Sequence, residues 1–267
     1  MKKRKLRPKC NNYLLISNSV LNVCLKRQRS KIVQILWLFF DIGETLLSEK
    51  NFHSARNDGL FEVLKSHKKD LNRAAYDEAH KRAILSRPGG ESSRVRAIAR
   101  EILGPNEFYK AVSEYQQKIG GPLIKQFQSI PTSLFQPYNE VRQVLEYLSK
   151  KHSLGIIANQ HRNVRGHMDK TWGLATFFSF MILSEEVGFN KPDREMFKLA
   201  LDKARIEPNE AWMIGDRVDT DIGPARSLGI RAIRVLHDSE MSIITPDSEF
   251  EVPDFQFKDL KPLLDLF

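Results

Sequence analysis

Apolar and polar positions along the chain change rhythm twice. Residues 32–40, IVQILWLFF, are almost continuously apolar and rich in β-branched and aromatic side chains. Such a run without alternation predicts a strand covered on both faces, as in a parallel sheet. After DIGETLLSE (41–49) the spacing becomes helical. GLFEVLKSHKKDLNRAAYDEAHKRAIL and SRVRAIAREIL each repeat their apolar residues at intervals of three and four. SRPGGESS (86–93) and GPNE (104–107) break this stretch into separate helices. Residues 53–130 are therefore expected to form an all-helical insertion.

From 135 onward, strand and helix patterns alternate. NEVRQVLEYLSKKH predicts an amphipathic helix and SLGIIANQ a short strand. VRGHMDKTWGL predicts a helix ended by Gly173, and FSFMILSEEVG contains a strand. DREMFKLALDKARI predicts a helix, AWMIGD a strand, DIGPARSLG a helix ended by Gly229, and IRAIRVL a strand. Short links between alternating elements imply right-handed crossovers and a doubly wound parallel α/β sheet. Trp172 and the aromatic residues of 177–180 are expected in its core.

Composition adds limits. The apolar fraction of 41% suffices for a core, and no apolar run approaches the ~18 residues of a membrane span, so a soluble protein is expected. The net charge of +9 is uneven. Residues 1–31 hold ten Lys or Arg and no Asp or Glu, which leaves 32 basic and 33 acidic residues in the remainder. A neutral body gives no support for nucleic-acid binding by the core. The leader, 1–31, is expected to be disordered: a basic arm for an anionic surface, an organelle-targeting leader, or upstream sequence without function. Both cysteines, Cys10 and Cys24, lie within it. The body thus has no thiol for a disulfide, a zinc site or a nucleophile, which fits a cytoplasmic setting.

In doubly wound sheets, ligands sit at the carboxyl ends of the strands. The first strand brings Asp41, Gly43, Glu44 and Thr45 there, and the second Ala158, Asn159 and Gln160. The link after the third brings Lys191, and the fourth strand brings Asp216, Asp219 and Asp221. Converging carboxylates repel one another, and a hard, oxygen-preferring cation such as Mg²⁺ relieves that. A lysine beside them can bind a phosphoryl oxygen. A carboxylate so held can attack phosphorus and form an aspartyl phosphate that water hydrolyses.

FFDIGETL, GIIANQ, GFNKPDREMF and MIGDRVDTDIGPARSLGI resemble, in order and spacing, the four motifs of the haloacid dehalogenase-like (HAD) hydrolase superfamily, over about 33–267. The resemblance implies a Rossmann-like core, 32–52 and 131–267, carrying a helical cap, 53–130. It implies a Mg²⁺-dependent phosphatase for a small phosphorylated metabolite. Asp41 would be nucleophile and metal ligand. Gly43 would reach the metal through its carbonyl, Asp216 through a carboxylate, and Asp221 (or Asp219) would orient the metal's waters or the lysine. Lys191 would neutralise charge, with Thr45 and the segment Ala158–Asn159 at the phosphate.

Two positions depart from the superfamily pattern. Phosphatases of the group usually carry at position 43 an aspartate that protonates the leaving group, and Gly43 has no side chain. The second motif usually supplies Ser or Thr where this chain has Ala158. A substrate with a good leaving group needs no acid. Otherwise Glu44 or a cap histidine (His53, His67 or His80) would have to supply one, though helical surfaces ordinarily leave such histidines in solvent. Two further readings stand open: a weakly active or noncatalytic binding protein, and a metal-free 2-haloacid dehalogenase. A phosphonatase would want a cap lysine, but Lys65, Lys68, Lys69 and Lys81 read as a solvated face. No motif in 53–127 encodes a substrate.

Overall fold

The computed structural model describes residues 35–87, 91–123, 125, 133–237 and 239–267. The basic leader, both cysteines and the start of the first apolar run lie outside the described residues. Strand β1 is Trp37–Phe40, and Leu38, Phe39 and Phe40 have no solvent exposure. It is buried because it is central. It pairs in parallel with β4 (Ser153–Ala158) on one side and β6 (Ala211–Gly215) on the other, Phe40 standing opposite Ile156 and Ile214. β5 (Phe180–Leu183) lies outside β4; β7 (Arg231–Val235) and β8 (Phe255–Phe257) extend the sheet beyond β6. Every pair is parallel, so the α/β doubly wound expectation holds. β8 was not anticipated, because three half-buried residues leave no periodicity to read.

Helix α6 (Arg194–Ala204) and helix α7 (Gly223–Ser227) cover one part of the sheet. Met196, Phe197 and Leu201 pack with Phe39, Ile157, Ile182 and Met213. Burial of each large apolar side chain contributes about 1.5–3 kcal/mol. Asp193 starts α6 by accepting the Glu195 N–H at 3.0 Å. Helix α5 (Val141–Ser149) buries Val141, Val144, Leu145 and Leu148 at its expected stripe. Gly155 lets the Phe39 and Phe180 rings close above it: a Cβ there would stand 3.0 Å from Phe180 and 3.1 Å from Phe39. Gly173 and Gly229 end their segments at φ +60° and +89°, the left-handed conformation glycine tolerates. The helix expected over 164–174 is shorter than its pattern, a single α turn at Val164–Gly166 followed by a wide π turn at His167–Thr171. Trp172 and Phe180 are in the core, whereas Phe177 and Phe178 are half-buried.

Between β1 and α5 the described residues include four helices: α1 (Lys50–His67), α2 (Arg73–Leu85), α3 (Glu91–Leu103) and α4 (Phe108–Tyr115). The breaks at 86–93 and 104–107 separate α2, α3 and α4 as expected. The insertion's first helix starts at Lys50, three residues earlier than its pattern shows. The helices bury Leu60, Leu64, Tyr76, Ile98, Phe108 and Tyr115 in a cluster of their own. A two-stranded antiparallel ladder, β2 (Leu47–Ser48) with β3 (Gln136–Pro137), ties both ends of the insertion together. Two residues per strand give no sequence signal.

Candidate active site

β1 delivers Asp41 to the sheet's carboxyl edge. The Asp41 N–H still donates to Ile214 O at 2.9 Å, so the ladder runs up to the carboxylate. The chain then folds into a tight loop, with Leu46 and Leu47 N–H donating to Ile42 O at 2.8 and 2.9 Å. Glu44 sits in that loop at φ +51°, a conformation costing a non-glycine residue about 1 kcal/mol or more. Its side chain is anchored on both oxygens. Tyr138 Oη donates to Oε2 at 2.6 Å, and Glu49 N–H donates to Oε1 at 2.9 Å.

Lys191 crosses from the link before α6 and joins the two sides of the site. Its Nζ donates to Asp41 Oδ1 at 2.7 Å and to Asp221 Oδ1 at 2.5 Å. Its backbone is held by Asn159. The Lys191 N–H donates to Asn159 Oδ1 at 2.7 Å, and Asn159 Nδ2 donates to Lys191 O at 2.9 Å. Asp216 follows β6. Its backbone carbonyl accepts from Arg234 Nε at 2.8 Å, and its Oδ2 accepts from Ser239 Oγ at 3.3 Å. Asp221 Oδ2 accepts the Arg217 N–H at 3.1 Å. Gly215 makes room for it, since a Cβ there would stand 2.6 Å from three Asp221 side-chain atoms. Asp219 is taken by Arg217, whose guanidinium donates to both its oxygens at 3.0 and 2.5 Å. Of the two aspartates, Asp221 is the one that meets the lysine.

Asp41, Asp216 and Asp221 each bring a carboxylate oxygen within 4.8 Å of the others. Asp216 and Asp221 are buried. Burial, then repulsion from Asp221 and Asp41, pushes the Asp216 carboxyl well above its ordinary range. Burial pushes Asp221 up to about 6, against the pull of Lys191. Burial works against charge on Lys191 too, but Asp221 and Asp41 outweigh it and hold the ammonium above its usual range. Three carboxylates facing one lysine leave excess negative charge. This donor set, all oxygen and largely desolvated, fits a hard divalent cation.

A cavity of about 230 Å³ opens over these groups. Asp41, Gly43, Asn159, Lys191 and Asp216 line its floor. Thr45 and Ala158 are wholly buried and are not among the lining residues. The Thr45 hydroxyl has no hydrogen-bond partner among the described residues. Several lining residues were invisible in the sequence: Glu49, Phe52, Arg56 and Arg94 from the insertion side, and Arg217 and Met241 from the sheet side, whereas Gln160 lines the cavity at the strand end where its position puts it. Nothing in the periodicity marks which polar helix positions turn inward. His53 also lines the cavity and is not a solvated histidine: burial, then the neighbouring Arg56, pushes its imidazole down to about 3. His80 is likewise largely buried, at 3.7 Å from Glu240, whereas His67 pairs near the surface with Glu114. The four lysines Lys65, Lys68, Lys69 and Lys81 are exposed. Glu49 is squeezed among acids. Burial, then Glu44 and Asp41, pushes its carboxyl up to about 8.

The sequence model of the haloacid dehalogenase-like hydrolases matches residues 96–235. This chain belongs to the haloacid dehalogenase-like hydrolase family. The hydrolase is 30% identical over 169 residues to the glyceraldehyde 3-phosphate phosphatase of Methanocaldococcus jannaschii, spanning 60% of this chain and 70% of that protein. It is 37% identical over 89 residues to the phosphoserine phosphatase of Thermus thermophilus, spanning 33% of this chain and 34% of that protein. Its fold is that of a HAD phosphatase from Thermococcus onnurineus, at a TM-score of 0.56 and 21% identity over 87% of this chain and 97% of that one. In this hydrolase, side chains of the helical insertion and of the sheet's carboxyl edge line one cavity, and no described helix is long and apolar enough to cross a membrane.

Proposed function

We propose that this hydrolase is a Mg²⁺-dependent phosphatase that cleaves a small phosphorylated metabolite through an aspartyl phosphate on Asp41. The observation that carries the reading is the position of Lys191, hydrogen-bonded to Asp41 and Asp221 on the floor of a cavity that also exposes Asp216. The relatives named as glyceraldehyde 3-phosphate and phosphoserine phosphatases support the substrate class. Asp41, the Gly43 carbonyl, Asp216 and Asp221 would hold the ion, whose charge, when bound, offsets that of the phosphoryl oxygens. Lys191 fixes the Asp41 carboxylate in one orientation and offers its charge to the phosphoryl group. Asn159 sets the height of Lys191 by clasping its backbone on both sides. The helical insertion roofs the cavity as a cap and excludes water during transfer. A cavity of this size takes a small substrate.

The test is hydrolysis of p-nitrophenyl phosphate and acetyl phosphate with Mg²⁺ or with EDTA. Turnover is expected only with the metal, and is expected to fall to background in Asp41→Asn. Halide release from 2-chloropropionate in EDTA would favour the dehalogenase reading instead. Metal-bound ligand capture without turnover on a broad phosphometabolite panel would favour a binding protein.

A further inference from the structure

Position 43 has no side chain, yet the space beside it is filled. A Cβ built on Gly43 would stand 2.6 Å from Glu49 Oε1 and 2.9 Å from its carboxyl carbon. The carboxyl group of Glu49, six residues on at the start of the insertion, therefore occupies the volume into which a side chain at 43 would project. It lines the same cavity as Asp41 and Lys191. One oxygen is positioned by Gln160, whose Nε2 donates to Oε1 at 3.1 Å. The other has no hydrogen bond among the described residues, with His53 Nε2 standing 3.7 Å away. The alternatives are less well placed. Both oxygens of Glu44 are engaged, by Tyr138 and by the Glu49 N–H. Each is held by a donor, which leaves Glu44 to fix the loop rather than to meet a ligand.

We propose that Glu49 is the general acid and base of this site, supplying from the insertion the carboxyl that the first motif lacks. The proposal rests on the phosphatase reading above. In the first step the Asp41 carboxylate forms a bond to phosphorus while the bond from phosphorus to the ester oxygen breaks. The Glu49 carboxylic acid gives its proton to that oxygen, and the product leaves as an alcohol. In the second step the Glu49 carboxylate takes a proton from water as the water oxygen bonds to phosphorus. The bond to Asp41 breaks, inorganic phosphate is released, and both carboxyl groups return to their starting states. Such a donor contributes about a hundred- to ten-thousand-fold where the leaving group is poor, and little where it departs as a stable anion.

The experiment compares Glu49→Gln with the parent on two classes of ester, in Mg²⁺. The poor leaving groups are glyceraldehyde 3-phosphate and phosphoserine; the good one is p-nitrophenyl phosphate, which also reports whether the variant is folded. The expected result is a loss of kcat of about 10²–10⁴-fold on the alkyl esters and of less than about tenfold on the aryl ester. A second variant moves the acid back: Gly43→Asp combined with Glu49→Ala, which clears the space, is expected to regain alkyl-ester turnover over Glu49→Ala alone. Equal losses on both classes, with aryl-ester turnover still dependent on Asp41 and metal, would overturn the acid role and leave the phosphatase standing. A parent that cleaves only the aryl ester would overturn it too. A parent without metal-dependent turnover of either class would overturn both readings.

Discussion

Gly215 has no side chain because Asp221 occupies the space beside it, and this contact governs how the site responds to small changes. A methyl group at 215 must displace the Asp221 carboxylate, and with it the hydrogen bond to Lys191. Gly215→Ala is therefore expected to weaken the apparent Mg²⁺ affinity and lower turnover while leaving the fold intact, which a metal titration of activity alongside circular dichroism would show. Lys191 poses the opposite case. Lys191→Met leaves three clustered carboxylates without their cation, and removing one partner of a buried pair costs about 3–5 kcal/mol. Thermal unfolding in EDTA should reveal the loss, and Mg²⁺ should raise the melting temperature of the variant more than that of the parent. At this scale the sequence was legible where a residue's place follows from a strand end: Asp41, Asn159, Lys191, Asp216 and Asp221 meet as their positions imply. Glu49, Arg56 and Arg94 were not, because their arrival depends on how the insertion folds back, and no local pattern encodes that distance.

At the scale of elements, the strong periodicities were readable and the short pieces were not. β1, β4 and β6 are apolar because both their faces are covered, and the helices of the insertion repeat their apolar residues around a separate cluster. The β2–β3 ladder and β8 are set by tertiary pairing of two or three residues, too few to impress a period on the sequence. The π turn at His167–Thr171 cut short a helix whose pattern looked continuous. Packing between elements predicts its own sensitivity. Gly155 lies under the Phe39 and Phe180 rings, whose centroids are 6.0 Å apart. Gly155→Val should force these rings off their rotamers and cost about 1–3 kcal/mol in urea unfolding, with no change in substrate preference.

For the whole molecule, one carboxylate beyond the sheet gathers four basic side chains of the insertion. Glu240 belongs to the segment after β7, and it meets Arg56 at 2.8 Å and Arg94, His53 and His80 at 3.7–3.8 Å. Burial alone would raise its carboxyl; His53, Arg56, His80 and Arg94 together hold it down to about 2, from an ordinary 4.5. A depressed carboxyl stabilises the fold fully above its unfolded value and loses that contribution as pH falls toward its folded one. Glu240→Gln, which removes the carboxylate facing the buried Arg56 guanidinium, should therefore cost about 3 kcal/mol at neutral pH. The gap between variant and parent should close as the pH falls from 4.5 toward 2, measured by urea unfolding at each pH.

Ser239 and Glu240 are neighbours in the chain and reach in different directions, the first to Asp216 and the second to Arg56. One dipeptide thus sets both the posture of a floor carboxylate and the seat of the roof. The insertion is for that reason not an interchangeable attachment. A chimaera that took its helices from a relative would have to bring a cationic match for Glu240, or re-choose the dipeptide, before its floor could be expected to keep its shape. Swapping the roof to change what the cavity accepts would thereby disturb the chemistry beneath it, which ties the inheritance of specificity to that of catalysis in this chain.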